Sequence, residues 1–456
     1  MLQYNTYYKM SRNTIRGDSA ARIAASVERA LQAGTLAASD RLPTIRELAA
    51  SLRVSPVTVA AAYRLLQSRG LTVGRGRQGT RLRAASVVAS PVSRTRRVDA
   101  GLVDLATGNP DQALLPPLND ALRAVSTEHG VYGGPLELPA LVVFAESEFE
   151  ADGIARGPVA VTSGALDAVE RVLREQLRAG DRVVVEDPTL PALLDLLASL
   201  GLTPVPCALD DEGPRPDSLA LALGPGVHAL VISPRAQNPT GAAISARRAA
   251  DLARVLRRRS DALLIEIDDV SAVSGAPFLT LSHGRSQWAA VKSTSKFLGP
   301  DLRVAVMTGD AVTIARVQRR QAVSERWVSH LLQKLALALW SDPSSGRWLA
   351  RAAQVYAERR RGLIEALAAL GVSVSGRSGL NVWIPVREET ATVQALADRG
   401  WAVAAGERFR IESPPAIRVT TSTLEPAEAQ RFAADLAATV RPASTVHARG
   451  RRAEAG

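Results

Sequence analysis

Cysteine, lysine and long hydrophobic runs are scarce in this 456-residue sequence. Cys207 is its one cysteine, which excludes an intramolecular disulfide and a multi-cysteine metal site and fits a reducing, cytoplasmic compartment. No apolar run approaches the roughly 20 residues that cross a bilayer, so we expect neither a membrane protein nor a secreted one. With 46% hydrophobic and 22% charged residues, a chain of this length predicts two or three globular domains with their own cores.

The positive charge is concentrated near the start of the chain. Residues 1–97 hold 17 Lys and Arg against four Asp and Glu, whereas the remaining residues hold 39 against 41. Such asymmetry indicates a nucleic-acid-binding unit attached to a near-neutral globular body. The alternative at this stage is a basic domain that has no polyanionic partner.

Three amphipathic helices are predicted in the basic region. Between Asp18 and Leu36 apolar residues recur every four positions, which is typical of one buried helix face. A second helix follows Pro43, and a third begins with Ser55 as its N-cap and Pro56 in its first turn, where a missing N–H costs nothing. This order predicts a helix-turn-helix preceded by one further helix.

Residues 71–83 (LTVGRGRQGTRLR) predict two short strands around a glycine turn, which is a basic wing. In a winged helix the third helix enters the major groove, while arginines of the wing and the second helix neutralise phosphates. The candidate DNA-contacting residues are Arg41, Thr44, Arg46, Ser55, Thr58, Arg64, Arg75 and Arg77.

Residues 41–71 (RLPTIRELAASLRVSPVTVAAAYRLLQSRGL) resemble the winged-helix domain of the GntR family of transcription regulators. Between the turn serine and the Thr-Val step this family usually has a polar or basic pair, and here the pair is Pro56 and Val57. The resemblance therefore leaves open which bases are read. We assign residues 14–83 to this DNA-binding domain and residues 84–100, which lack a sustained period, to a linker.

A doubly covered, mostly parallel sheet is predicted after Gly157, because short apolar runs alternate there with helical stretches. Its domain is assigned to residues 101–440 and includes a smaller C-terminal α/β subdomain, and residues 441–456 are expected to be disordered. Ligands of such sheets bind beyond the carboxyl ends of the strands. The candidate strands are VAVTSG, DRVVVEDP, TPVPC, HALVISP, LLIEIDD, WAAVKSTS and RVAVMTG.

Polar residues close several of these runs. Ser163, Gly164 and Ala165 open a helix whose free N–H groups suit a phosphate, although an ordinary strand-to-helix turn explains them as well. Asn238 stands in the turn Asn-Pro-Thr-Gly directly after another strand. At the end of LLIEIDD we prefer Asp268 as a carboxylate for a cationic ring nitrogen, the alternative being a helix N-cap.

Lys296 is one of four lysines in the chain, the others being Lys9, Lys292 and Lys334. A primary amine can lose its proton and condense with an aldehyde, whereas a guanidinium stays protonated. We therefore predict Schiff-base chemistry at Lys296, with Asp268 on a pyridine nitrogen and Asn238 on a phenolic oxygen. Ser293, Ser295 and Arg303 would hold a phosphate. These parts describe pyridoxal 5′-phosphate (PLP), and no metal site is predicted.

From about residue 100 to 440 the chain resembles the fold type I aminotransferases. The resemblance implies that Lys296 and Asp268 are the catalytic pair, and that Asn238, Ser163 to Ala165, Ser293, Ser295 and Arg303 bind the cofactor. It also implies that Tyr132 reaches the phosphate of a neighbouring subunit in a dimer and that Arg418 binds a substrate or effector carboxylate. Two aromatic positions of that family are Val270 and Leu190 here, which should weaken ring positioning.

A GntR-like winged helix joined to an aminotransferase-like domain is typical of the MocR subfamily of bacterial transcription regulators, and the motifs are most similar to its PtsJ-like branch. The resemblance implies a cytoplasmic dimer that binds promoter DNA and senses PLP, or an amine adduct of PLP, with vitamin B6 metabolism as the expected target. We expect at most weak transaminase activity. The alternatives are a working PLP-dependent aminotransferase with an accessory DNA-binding domain, and a repressor that no longer binds PLP.

Overall fold

The structure of the protein is a computed structural model that describes residues 14–32, 35–37, 40–68, 71–74, 79–82, 101–126, 128 and 131–440. None of the helices in these ranges combines the length and apolarity that a bilayer crossing requires. The predicted linker at 84–100 and the predicted tail at 441–456 lie outside the described residues, so these two assignments stay predictions.

The N-terminal domain is a winged helix-turn-helix. Its elements are α1 (Ala20–Gln32), α2 (Ile45–Leu52), α3 (Pro56–Ser68), β1 (Thr72–Gly74) and β2 (Thr80–Leu82). The two strands pair antiparallel, with Thr72 opposite Leu82. The predicted apolar stripes form its core, in which Ile23, Val27, Leu48, Val59 and Leu66 are all fully buried.

Helix α1 is shorter than the periodicity predicts. It begins after Ser19, whose hydroxyl accepts a hydrogen bond from the amide of Arg22 at 3.4 Å. Beyond its last turn, the amides of Thr35 and Leu36 both donate to the carbonyl of Ala30, at 2.9 and 3.1 Å. Side-chain and turn hydrogen bonds of this kind compete with continued helix, and periodicity alone does not reveal them.

Helices α2 and α3 have well-defined starts. Thr44 and Glu47 form a reciprocal capping box, in which Thr44 Oγ1 accepts from the amide of Glu47 at 3.3 Å and Glu47 Oε2 accepts from the amide of Thr44 at 2.9 Å. Ser55 Oγ accepts from the amide of Thr58 at 3.1 Å, as an N-cap does. Both helices of the motif therefore begin at a side-chain cap.

The remainder of the chain folds as a large α/β domain with a smaller subdomain. In chain order its elements are β3 (Val103–Leu105), α4 (Leu118–Ala124), α5 (Pro139–Ala151), β4 (Val159–Thr162), α6 (Ala165–Gln176), β5 (Arg182–Asp187), α7 (Pro191–Ser199), β6 (Thr203–Asp210), β7 (Gly213–Pro214), α8 (Pro216–Ala222), β8 (Val227–Ile232), α9 (Ala246–Leu256), β9 (Leu263–Asp268), β10 (Trp288–Ser293), β11 (Ala305–Gly309), α10 (Ala311–Ala322), α11 (His330–Ser341), α12 (Ser345–Ala369), β12 (Asn381–Pro385), α13 (Glu389–Ala397), β13 (Trp401–Ala405), β14 (Ala416–Thr420) and α14 (Pro426–Val440).

The large sheet has the strand order β4-β11-β10-β9-β8-β5-β6-β7. The central pairs from β10 to β6 are parallel, whereas β11 runs antiparallel to both of its neighbours and β7 antiparallel to β6. Every residue of β9 and β10 is buried. Leu264 packs into the core on one face and Ile265 into the core on the other, which confirms a mostly parallel sheet with both faces covered.

The smaller subdomain contains a sheet of order β12-β14-β13-β3. Strand β3 comes from the beginning of the large domain, yet it pairs parallel with β13, where Val103 lies opposite Trp401. Trp401 is fully buried, packs edge-on against Phe432 at a centroid distance of 5.4 Å and donates from Nε1 to Asp435 at 2.8 Å. The segment that follows β3 is thereby anchored on the C-terminal part of the chain.

The turn after β8 depends on a glycine, and its replacement tests this packing. Gly241 has φ +70°, and a Cβ there would lie 2.7 Å from the carbonyl oxygen of Ser378 and 2.8 Å from that of Asn381. We expect Gly241→Ala to lower the free energy of unfolding by clearly more than the about 1–2 kcal/mol that left-handed backbone costs alanine, because two backbone carbonyls must also move. Thermal unfolding of the full chain measures the loss.

Gly226→Ala is the matched control, since Gly226 has φ +77° and no other atom within 4 Å of a built Cβ. It isolates the backbone strain from the close contact. Equal losses of melting temperature in the two variants would contradict the packing argument.

Candidate functional site

Lys296 lies just beyond the carboxyl end of β10, with its side chain part-buried. Its Nζ donates to the carbonyl of Gly108 at 2.8 Å. Burial lowers the pKa of the Lys296 amine, and nearby Arg418 lowers it further, against an opposing attraction by Asp269. A lowered pKa makes the neutral amine, which is the nucleophilic form, more abundant near neutral pH.

The negative charge that favours the protonated form of Lys296 belongs to Asp269. Asp269 and Asn238 line one cavity, together with Leu190 and Ile267. Because successive residues of a strand point to opposite faces, the neighbour Asp268 points away from this cavity. The carboxylate beside Lys296 is thus displaced by one residue from the predicted position.

Asp268, which the sequence favoured for the ring nitrogen, is bound by an arginine instead. Its Oδ1 accepts from Arg235 Nε at 3.0 Å and its Oδ2 from Arg235 Nη2 at 2.7 Å, and Oδ1 also accepts the amide of Ser271 at 3.0 Å. The Asp268 side chain is 2% exposed. The role predicted for Asp268 at the ring nitrogen stays a prediction, and the position of Asp269 in the cavity lining makes Asp269 a second candidate for that role.

The Asp268–Arg235 pair is part of a buried charge network. Arg235 Nη2 also contacts Asp152 at 3.3 Å, and Asp152 in turn pairs with Lys292 Nζ at 2.7 Å. The Arg235 guanidinium lies over the ring of Phe278 at 5.3 Å. The sequence contained one signal of this network, because Arg235 and Lys292 stand at the ends of otherwise apolar strands. Buried cations require buried anions as partners, so these two residues indicated that acids would be buried beside them.

An arginine and a helix N-terminus lie together at the start of α6. Gly164 is the N-cap of this helix with φ +108°, and a Cβ there would collide with the guanidinium of Arg303. Arg303 Nη2 donates to the carbonyl of Ser163 at 2.7 Å, and the amide of Ser163 donates to Asp167 at 2.9 Å. A guanidinium beside a helix N-terminus that starts at Ala165 suits a phosphate.

Ser293 and Ser295 belong to the same edge of the sheet. Ser293 is opposite Ala305 of β11, which is itself opposite Thr162 at the end of β4. Both serines are buried, and Ser293 Oγ accepts from the amide of Ser295 at 3.3 Å. The sheet topology thus brings the two predicted serines to the strand ends that adjoin the Gly164 turn.

Asn238 and Arg418 meet across the two subdomains. Arg418 Nη1 donates to Asn238 Oδ1 at 3.2 Å, Nη2 donates to the carbonyl of Ala106, and the guanidinium lies over the Phe409 ring at 4.9 Å. Burial lowers the pKa of Arg418 to about 10. Its Nε is buried without a hydrogen-bond partner in the part of the chain that the structure describes.

Tyr132 is separate from these residues. It is 78% exposed, packs edge-on against Trp327 at 5.6 Å and lies beneath the guanidinium of Arg326 at 5.0 Å. A surface position is what a residue that serves a neighbouring subunit would have, and that role stays a prediction.

The candidate DNA-contacting residues lie on the exposed side of the winged helix. Arg41, Arg46 and Arg64 are exposed, and so are Thr44 and Ser55, whereas Thr58 is half-buried. The hydroxyls of Thr44 and Ser55 cap α2 and α3. Arg75 and Arg77 lie outside the described residues. The DNA contacts of all eight residues stay predictions.

Two family matches cover these domains. Residues 19–82 match the bacterial regulatory proteins of the gntR family, and residues 140–436 match aminotransferase class I and II. A GntR domain joined to such a domain defines the MocR-type transcription regulators, and the chain belongs to this family. Its GntR domain is a DNA-binding domain, and aminotransferases of this class depend on PLP.

Particular relatives connect this family with vitamin B6. The chain is 38% identical to the vitamin B6 salvage pathway transcriptional repressor PtsJ of Salmonella typhimurium over 430 residues, which cover 92% of this chain and 98% of that protein. It is 31% identical to the HTH-type pyridoxine biosynthesis transcriptional regulator PdxR of Corynebacterium glutamicum over 257 residues, or 53% and 54% of the two chains. Among solved structures, the multiple substrate aminotransferase of Thermococcus profundus matches with a TM-score of 0.70 at 20% identity, covering 78% of this chain and 94% of that one.

Glu186 is a residue of the site that sequence reasoning missed. It is 2% exposed, lines the same cavity as Asp269, and its Oε2 accepts from the amide of Ser233 at 3.2 Å. Burial raises the pKa of Glu186 to about 8, against hydrogen bonds that lower it. A glutamate at the end of an apolar strand, beside an Asp-Pro turn, was its one signal in the sequence.

The raised pKa of Glu186 predicts how stability depends on pH. The unfolded carboxyl loses its proton near pH 4.5 and the folded one near pH 8, so the wild type loses free energy of unfolding as the pH rises between these values. Glu186→Gln removes this loss. We therefore expect the melting temperature of Glu186→Gln, relative to wild type, to increase from pH 5 to pH 8 and then level off, as scanning calorimetry would show.

Glu358→Gln, at an exposed position on α12, provides the control with the same chemical change. Its melting temperature should follow that of the wild type throughout. Melting temperatures of wild type and Glu186→Gln that change in parallel with pH would show that Glu186 has no raised pKa in the folded protein.

Proposed function

We propose that this transcription regulator binds PLP covalently through Lys296 and that the bound cofactor changes its affinity for promoter DNA. The observation that carries the proposal is a part-buried amine whose pKa burial lowers, which donates to the carbonyl of Gly108 just beyond the end of β10. The turn before α6, where Arg303 donates to the carbonyl of Ser163, supplies a cation at a helix N-terminus. PLP supplies an aldehyde that condenses with a neutral amine. The residues present therefore fit the group, including the close approach of Arg303 that glycine permits at position 164.

The other residues of the site would hold the ring, the phosphate and a carboxylate of the effector. Asp269 holds the proton of the ring nitrogen and Asn238 orients the ring oxygen, while Arg418 binds a carboxylate of an effector amine. The phosphate is held by Ser163, Gly164, Ala165, Ser293, Ser295 and Arg303. We also propose a homodimer in which Tyr132 completes the phosphate site of the partner subunit.

The cavity supports sensing over efficient turnover. Leu190, rather than an aromatic side chain, lines it, and Val270 is buried in the core of the large domain. Neither residue can stack on a ring or hydrogen-bond to it, and proton transfer requires accurate placement of the reacting atoms. The second candidate function, a working aminotransferase, is favoured by Arg418, whose guanidinium contacts Asn238 at 3.2 Å as a carboxylate-binding arginine beside the cofactor site would.

The target of regulation follows from the relatives. The names of PtsJ and PdxR refer to vitamin B6 salvage and pyridoxine biosynthesis. A repressor that responds to PLP could adjust the genes that supply it. We propose that this chain controls genes of vitamin B6 metabolism.

The segment 106–109 offers a physical route from the site to DNA. Lys296 donates to Gly108, Arg418 to Ala106, and Ser422 Oγ to the carbonyl of Asn109 at 2.6 Å. The same Lys296 and Arg418 groups are the proposed ligands of cofactor and effector. Covalent attachment of an aldehyde would leave Lys296 Nζ with at most one proton. The ligand and the carbonyl of Gly108 would then compete for this one donor. Ligand binding thus biases a segment close in sequence to the winged helix.

The assignment of Asp269 is testable by paired substitutions. We expect Asp269→Asn to weaken PLP binding about tenfold or more, because the ring nitrogen loses the charge that keeps it protonated. Asp268→Asn should leave the affinity within about twofold but lower the melting temperature, since Arg235 then lacks its buried bidentate partner. Titration of visible absorbance with PLP gives the affinities.

The reverse outcome, with PLP affinity lost in Asp268→Asn and kept in Asp269→Asn, would restore the original assignment. Thermal unfolding of each variant without PLP separates a loss of fold from a loss of binding.

Sensing is tested with Lys296→Ala. We expect the wild type to become yellow with PLP, to change its affinity for the DNA upstream of its own gene, and to exchange amide hydrogens faster at residues 106–109. Lys296→Ala should show neither the colour nor the shift in DNA affinity. Absorbance, fluorescence anisotropy of labelled DNA and hydrogen exchange measure the three effects.

Lys334→Ala, which removes another of the few lysines, is the control and should behave as the wild type. A yellow protein whose DNA affinity is indifferent to PLP would refute sensing. Multiple rapid turnovers with amino and keto acids would favour the aminotransferase alternative.

A further inference from the structure

The start of helix α3 presents an apolar surface. Val57, in its first turn, is 71% exposed, and the preceding Pro56 is exposed and lacks an N–H. Two residues further on, Val59 is fully buried in the domain core. Exposing a valine has a free-energy cost relative to burying it, and the packing of this domain does not account for the exposed position of Val57.

The polar side chains beside Val57 are engaged with each other. Ser55 Oγ and Thr58 Oγ1 lie 2.9 Å apart, and Ser55 Oγ also accepts the amide of Thr58. These bonds hold the N-terminal turn of α3 in place. The group that projects beyond them is the pair of methyl groups of Val57.

The surroundings of this apolar end are basic. Arg46 on α2, Arg53 in the turn and Arg64 on α3 are all exposed. Arg53 ends α2 in the left-handed conformation, with φ 56°. Cations around an apolar tip match a DNA groove, in which phosphates flank base edges, better than they match an apolar protein surface.

We propose that Val57 is a specificity-determining residue that contacts the 5-methyl group of a thymine in each half of the operator. In a helix-turn-helix the N-terminal residues of the second helix of the motif, here α3, contact base edges in the major groove. The thymine methyl is the apolar group that the base pairs present there. This inference rests on DNA binding by the GntR domain, and it identifies one base that this domain reads.

The experiment first selects the operator. The full-length chain is used to enrich binding duplexes from a random pool, and the consensus duplex is then made with deoxyuridine in place of one thymine at a time, which removes a single methyl group. We expect one symmetry-related thymine position at which uracil weakens wild-type binding about fourfold per half-site, the value of one buried carbon group. Val57→Ala should bind the thymine and uracil duplexes equally.

Val143→Ala is the matched control, since Val143 is 66% exposed in the large domain, and it should keep the thymine preference. Uracil sensitivity that persists in Val57→Ala, or that is absent from every position in the wild type, overturns the inference while DNA binding stands. A wild type that enriches no duplex overturns DNA binding and the inference together. A changed oligomeric state of Val57→Ala in light scattering, with unchanged uracil sensitivity, would assign Val57 to a protein contact instead.

Discussion

The orientation of the end of β9 depends on the bidentate pair between Arg235 and Asp268. Both side chains are almost fully buried, so neither charge has water as an alternative partner, and removal of one leaves the other uncompensated. The pair holds Asp268 on the face of the sheet that carries Phe278 and Asp152. Because a strand alternates its side chains, this leaves Asp269 on the opposite face, where it lines the cavity together with Asn238. A structural ion pair thus determines which of two adjacent aspartates is available to a ligand.

The sequence predicted the elements of the site better than their mutual orientation. Strand ends, the scarce lysine and the Asn-Pro-Thr-Gly turn were evident because each is a local feature. The choice between Asp268 and Asp269 was not, since it depends on the parity of the strand, which is set by Arg235 at a distance of 33 residues. Both aspartates follow the same apolar run, and neither periodicity nor composition distinguishes them. The role of either acid at a ring nitrogen therefore stays a prediction.

Contacts between distant segments were likewise beyond local reasoning. Arg418 and Asn238 are 180 residues apart, and the carbonyls of residues 106 and 108 reach the site because β3 joins the sheet of the C-terminal subdomain. A parallel pair of strands of this kind joins segments that are far apart in the chain. It has no connecting turn whose residues could be recognised in the sequence. The predicted winged helix, by contrast, is built from consecutive elements with recognisable caps. Its core and its order of helices and strands followed directly from the sequence, except for the ends of α1.

The same groups that could hold a ligand hold the protein's own backbone in this structure. An enzyme that must turn over benefits when its amine and guanidinium are preorganised for the substrate. A regulator benefits from a different arrangement, because a ligand shifts an equilibrium only by the difference between its affinities for two states. Lys296 and Arg418 would satisfy that requirement under the proposed function, since here they bind the carbonyls of Gly108 and Ala106 and they are also the proposed partners of cofactor and effector. Weak ring stacking at Leu190 then has little cost, for a sensor needs a reversible difference in affinity rather than the accurate geometry of proton transfer.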